Sequence, residues 1–349
     1  MNDSIVLGFE LQTEACMSLG SPLYAAILKV ATEDIVRGGV TASVVQGFER
    51  DGRQSAVALR LMGGLHRLVL TGMAPELAAH FPTAGGEPDL EVVGDAYLAT
   101  CRDHLDDLRM ALRVPPQTNE IGRSMLLLPG LASAIGDGSM PVHIREIGTS
   151  AGLNLALDQF EYQTDVWRRK GAASAPVIES HWVGPAPSIP PRIDVISRAG
   201  CDTTPIDIAD PQQRLRLLSF VWADQLDRFD RTRKAIELLP QIEHRIDRAD
   251  AANWLAAELD DRPAGLVVVQ HSVMWQYLPQ DTQSAIENTL SRHGSLATRE
   301  RPLAHVRFEP GPMAPVDKTE FALTVTTWPS GQSLRLASGH PHGTRVDWH

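Results

Sequence analysis

The chain has 349 residues, 43% of them hydrophobic, and a formal net charge of -11. This apolar content supports one large domain or two smaller ones and excludes a disordered chain. The acidic balance, without any Lys/Arg-rich run, lacks the electrostatic footprint of a DNA-binding protein, and no stretch approaches the ~18 apolar residues of a membrane span.

The N-terminal segment MNDSIVLGFELQTEAC has neither a basic start nor a continuous apolar core, which predicts a cytoplasmic protein. Cys16, Cys101 and Cys201 are scattered and follow no metal-binding spacing, so they read as packed small hydrophobes in a reducing compartment. Residues 1–135 carry helical periodicity. Leu23, Ile27, Val30 and Val36 share one face, and Val57, Leu61, Leu65 and Leu68 share another. The spacing predicts a third helix over 96–114, with Asp103, Asp106 and Asp107 on its solvated side and Pro115-Pro116 as its stop. Thr118 or Asn119 then caps a helix rich in Leu that leads into the α/β region.

The stretch Val142 to Asp158, VHIREIGTSAGLNLALD, organises the α/β region: a buried strand, a small-residue turn and a helix start. Such a junction gathers unpaired backbone N–H groups and is a ligand site in nucleotide-type folds. Glu146, Gly148, Ser150 and Gly152 follow an acidic-x-Gly-x-Gly-x-Gly pattern with serine at the middle glycine. The same turn, GTSAG, spells the G-x-S-x-G nucleophile elbow. A third reading is close packing of helix on strand.

Residues 160–191 read as an insertion of short strands before a proline-rich turn. Asp210-Pro211 opens a long helix, and helical character continues over 224–239. IEHRIDRADA, a short helix and GLVVVQHS form a second α/β cycle, followed by a helix, the strand LAHVRFEP and an antiparallel hairpin made by FALTVTTW and QSLRLAS. The predicted architecture is α/β: a doubly wound, mostly parallel sheet over 136–349 with a C-terminal hairpin, preceded by an N-terminal helical cap over 1–135.

Ligands of such sheets lie beyond the carboxyl ends of the strands. There the sequence presents Glu146 and Gly148, Asp202, Asp250 with Ala251, His271-Ser272, and Glu309. The pattern resembles the class I S-adenosylmethionine-dependent methyltransferases, whose Rossmann-like core is a sheet of this kind. The resemblance implies that Gly148, Ser150 and Gly152 hold the methionine part of S-adenosylmethionine, that Asp202 or its rival Asp207 meets the ribose, and that Asp250 meets the adenine. His271 and Tyr277 then become candidates for taking a proton from the acceptor or orienting it, with Asn119, Trp275 and His342 facing the substrate. The implied activity is methyl transfer to a small molecule. Trp167, Trp182 and Trp222 either line an acceptor pocket or pack in the core, and His340 and His342 are too few ligands for a metal site.

Over nearly its whole length the chain also resembles an uncharacterised bacterial family of domain-of-unknown-function proteins. The resemblance rests on QTNE (117–120), EIGTSAGLNL (146–155), GCDTTPID (200–207), FVWADQ (220–225), HSVMWQYLP (271–279) and PHG (341–343). It implies no substrate. A serine hydrolase remains an alternative, with Ser150 served by Asp250 and by His271, His340 or His342, although no HGG loop or strand-rich run precedes the elbow. An inert small-ligand-binding protein is the other alternative.

Overall fold

The computed structural model describes residues 3–48, 56–136, 140–311 and 321–349. Its helices are α1 (Asp3–Ser18), α2 (Pro22–Arg37), α3 (Val40–Val44), α4 (Val57–Leu70), α5 (Pro75–Ala78), α6 (Val93–Asp103), α7 (Leu105–Ala111), α8 (Ser124–Ile135), α9 (Pro211–Ser219), α10 (Leu226–Leu238), α11 (Ala251–Asp260) and α12 (Gln280–Ser295). The strands are β1 (Val142–Ile147), β2 (Glu161–Thr164), β3 (Arg168–Arg169), β4 (Val177–Val183), β5 (Val195–Asp202), β6 (Arg245–Arg248), β7 (Leu266–Ser272), β8 (Leu303–Pro310), β9 (Phe321–Trp328), β10 (Gln332–Gly339) and β11 (Arg345–Trp348). Among the described residues no helix is long and apolar enough to cross a membrane.

The chain divides into two compact units. Unit 1 comprises Met1–Thr118 and Ile208–Asp230, and unit 2 comprises Asn119–Asp207 and Arg231–His349. Helix α8, grouped with the N-terminal cap from sequence, thus falls in unit 2. Residues 208–230, grouped with the α/β region, fall in unit 1. For residues 208–230 the reason is long-range bonding. Asp224 accepts hydrogen bonds from Ser21 Oγ at 2.6 Å and from Leu23 N at 3.0 Å, capping α2 from a distant part of the chain. Trp222 packs beside Tyr24 with ring centroids 6.1 Å apart, which makes this tryptophan core. The helix expected over 96–114 is two helices, because His104 leaves helical geometry at φ -124° and ψ 34°.

Unit 2 is built on one sheet of eleven strands in the order β3-β2-β4-β11-β10-β9-β8-β7-β1-β5-β6. The five strands β8-β7-β1-β5-β6 are parallel to one another. From β1 the chain moves outward to β5 and β6, then returns to β7 and β8 on the other side. The order reverses between β1 and β7, which opens a crevice at their carboxyl ends. Both strands are buried almost throughout, as the apolar run of β7 predicts, while in β1 the burial extends to His143, Arg145 and Glu146 as well. The expected hairpin is present as β9 and β10, paired antiparallel, and β9 also runs antiparallel to β8. The insertion over 160–191 supplies β2, β3 and β4, which extend the sheet because β4 pairs with β11. The segment after Gly152 is a 3-10 helix, Leu153–Gln159.

His66 is fully buried in unit 1, with Nδ1 3.2 Å from Ser219 O and Nε2 2.7 Å from Thr83 Oγ1. Burial lowers its pKa from 6.5 to about 4. The folded chain therefore holds His66 neutral where the unfolded chain binds a proton, so stability falls as pH drops from about 6.5 to about 4. Denaturant midpoints measured across that window are expected to decline, by at most about 3 kcal/mol from this group. A His66→Gln variant should show a shallower decline.

Candidate functional site

The carboxyl end of β1 carries three alternate residues in left-handed backbone geometry. Gly148, Ser150 and Gly152 have φ values of +70°, +54° and +76°. Glycine enters this region freely, whereas serine does so at a cost of about 1 kcal/mol. A Cβ on Gly148 would meet Met274 Cγ at 2.9 Å, and one on Gly152 would meet Ile246 Cδ1 at 2.6 Å. The turn is thus tight as well as left-handed.

Glu146 sits at the base of this turn and is buried. Thr149 Oγ1 donates to its Oε2 at 2.5 Å, and Gln270 Nε2 approaches its Oε1 at 3.5 Å. Burial raises the Glu146 carboxyl to about 7, against the opposing pull of the Thr149 and Gln270 hydrogen bonds and of the Arg123 charge. Around it lie polar atoms that are buried without a protein partner: Ser150 Oγ, Asn154 Oδ1 and Gln270 Oε1. Buried polar atoms of this sort are rare and await water or ligand.

The neighbouring strand ends hold the turn in place. Asp202, at the end of β5, accepts Ser150 N at 3.0 Å through Oδ2 and Thr204 N at 2.8 Å through Oδ1. Asp250 follows β6 and caps α11, its Oδ1 accepting Ala252 N and Asn253 N; Ala251 is the first residue of that helix. Asn119 Oδ1 accepts Leu153 N at 2.8 Å, so this expected substrate contact instead fixes the segment after the turn. Its neighbour Glu120 accepts Gly122 N at 2.9 Å and pairs with Arg231 at 3.1 Å. Asp207 lies at the end of unit 2's first segment and makes interactions of its own.

His271 is 0% exposed and faces away from Glu146. Its Nδ1 meets Glu309 Oε1 at 2.6 Å, and its Nε2 meets His305 Nε2 at 2.9 Å. Burial, reinforced by His271 and Arg307, drives the His305 pKa well below its usual value. Glu309 also takes Met274 N at 3.2 Å and Trp275 N at 3.4 Å, and Trp275 stacks on His271 at 5.1 Å. These groups anchor the loop after β7. The period of a strand explains the separation: Gln270 and His271 are adjacent, so they project to opposite faces. Tyr277 is 72% exposed in the short helix Trp275–Tyr277 and takes no part in this cluster. The two residues offered by the sequence as candidate bases or orienting groups thus occupy different surroundings, His271 buried with Glu309 and His305 and Tyr277 exposed.

Arg123 joins separate parts of unit 2. Its Nε donates to Pro341 O at 3.0 Å and its Nη1 to Ser272 O at 3.2 Å. Beside it, a Cβ on Gly122 would fall 2.1 Å from His342 O. His342 thus contributes its backbone here, while its ring lies edge-on to His340 with centroids 5.2 Å apart. No group of three or more His, Cys, Asp or Glu is arranged to hold a metal among the described residues. The thiols of Cys16, Cys101 and Cys201 are buried, and burial pushes them up to about 11 for the first and about 12 for the others.

The segments that Arg123 draws together coincide with blocks that carried the family resemblance in sequence. A family model described as an uncharacterized protein conserved in bacteria (DUF2332) matches residues 8–348. The chain belongs to this family. No curated protein and no solved structure matches it.

Thr149, Asn154 and Gln270 are the parts of the cluster to which sequence reasoning gave no role, whereas Glu309 stood among the strand-end residues and Glu120 in the QTNE block. Two had a visible signal: Asn154 interrupts an apolar run, and Gln270 ends one. Because the folded state holds Glu146 protonated above its ordinary pKa, the contribution of this group to stability is complete below about pH 4.5 and is lost as pH rises through about 7. A Glu146→Gln variant should flatten that decline, which amounts to roughly 1–3 kcal/mol, in midpoints measured between those two pH values.

Proposed function

We propose that the protein is an S-adenosylmethionine-dependent methyltransferase acting on a small molecule. The observation that carries this reading is the left-handed Gly148–Gly152 turn at the reversal of strand order, with Glu146 and Asp202 at the carboxyl ends of β1 and β5 and Asp250 just after β6. The residues present fit the cofactor. The turn offers the unpartnered Ser150 Oγ, and Asp250 uses only Oδ1 for capping, leaving Oδ2 for a nucleoside donor. Asp202 would act mainly by holding the turn through Ser150 N, with the lone pairs left on its two oxygens available to a diol. When bound, the cofactor supplies an activated methyl group on sulfur.

The chain's own part is to position an acceptor and manage its proton. Glu146, raised to about 7, is the titratable group at the turn suited to holding a proton near neutrality. His271 and Glu309 would set the position of Met274, the side chain that covers Gly148. Calorimetric titration of the full chain with S-adenosylmethionine and S-adenosylhomocysteine tests the reading. Micromolar binding, weakened at least about tenfold in Asp250→Ala, is expected; no heat at millimolar ligand from folded protein would overturn it.

The competing elbow reading has one observation in its favour, the strained φ of Ser150. It lacks a base, since Ser150 Oγ has no hydrogen-bond partner and His271 is committed to Glu309 and His305. A fluorophosphonate probe should therefore leave Ser150 unlabelled, as read by mass spectrometry of the digested protein; stoichiometric labelling would reinstate the hydrolase.

A further inference from the structure

At the amino end of β5, remote in sheet direction from the strand-end cluster, unit 2 contains a hollow of about 410 Å³. Four cations line it, Arg169, Lys170, Arg192 and Arg198, against two carboxylates, Asp158 and Asp194. The excess of positive charge stands out in a chain of net charge -11. Arg198 is spent on Asp158, with which it pairs at 2.7 Å, and both side chains are buried. Arg169, Lys170 and Arg192 make no ion pair among the described residues, and the last two are exposed. Three unneutralised cations converging on one polar hollow favour an anion with several acceptor oxygens.

Two buried atoms refine the ligand. Arg169 donates through Nη1 to Asp158 O at 2.7 Å, while its Nε is buried without a partner and so awaits an acceptor. Asp158 uses Oδ2 for Arg198 and Gln159, while its Oδ1 is buried without a partner and awaits a donor. A bare phosphate has only its own P–OH, on the same phosphorus as its acceptor oxygens, to offer the second atom. A phosphate carried on a hydroxylated body satisfies both. No aromatic side chain lines the hollow, so it offers no surface on which a base would stack. Its volume suits a small metabolite.

We propose that this hollow is a binding site for a sugar phosphate, with Arg169, Lys170 and Arg192 on the phosphate and Asp158 on a hydroxyl. The site is independent of the strand-end cluster and stands whether or not the methyltransferase reading holds. The probes are ribose 5-phosphate, inorganic phosphate and ribose, titrated calorimetrically into the full chain in phosphate-free, low-salt buffer. Ribose 5-phosphate should bind at millimolar concentration or below, more tightly than inorganic phosphate, and ribose should give no heat. The double variant Lys170→Ala/Arg192→Ala changes two exposed side chains, so it should keep the wild-type melting temperature and lose at least about tenfold in affinity. Silence of the wild type towards ribose 5-phosphate, or undiminished affinity in the folded double variant, would overturn the site. Equal affinity for phosphate and ribose 5-phosphate would overturn the role given to Asp158.

Discussion

A carboxyl group at the end of a strand that is covered on both faces has to find its hydrogen bonds inside the protein. Glu146 is in that position because β1 lies in the interior of the sheet, between β7 and β5. Leaving such a group without partners would cost several kcal/mol. Thr149 and Gln270 supply the partners, one from the adjoining turn and one from the parallel neighbour, where Gln270 stands in register with Glu146. The Gly148–Gly152 turn is thereby bound to the strand that delivers it. Asp202 secures the other side of the turn through Ser150 N. The cost of a serine in left-handed geometry is offset by this anchoring.

The same logic extends outward from the turn. Asn119 holds the segment that leaves it, Glu120 is buried with Arg231, and Arg123 reaches both the end of β7 and the loop before β11. Each of these is a polar side chain that satisfies groups of a segment far away in sequence. Motifs scattered across more than two hundred residues consequently meet in one unit. That gathering, more than any single motif, supports a ligand site here, because buried polar networks are costly to maintain without a role.

The two faces of the sheet divide the labour. Glu146 and Gln270 face one side. On the other, Ile147, Val267 and Val269 pack with α11 and α12, and His271 joins Glu309 and His305. The second group reads as support for the loop carrying Met274 and Trp275. Alternation along a strand turns neighbours in sequence into occupants of separate environments.

The local elements were legible in the sequence alone. An apolar run specified β7 as a strand buried on both faces, Val142, Ile144 and Ile147 specified β1 as a buried strand, periodicity specified most of the helices, and GTSAG specified a tight turn, since these are properties of backbone and side chains within a few residues of one another. The family was legible there too. Where those elements go was settled by contacts between distant segments. The pairing of β4 with β11 made the insertion part of an eleven-stranded sheet, and Asp224 drew residues 208–230 to the helical unit. Long-range contacts likewise made His271 a buried support, left Tyr277 exposed and turned Asn119 into a clamp. A polar residue's role depends on which distant group satisfies it, and a periodic pattern specifies a face without naming what will cover it.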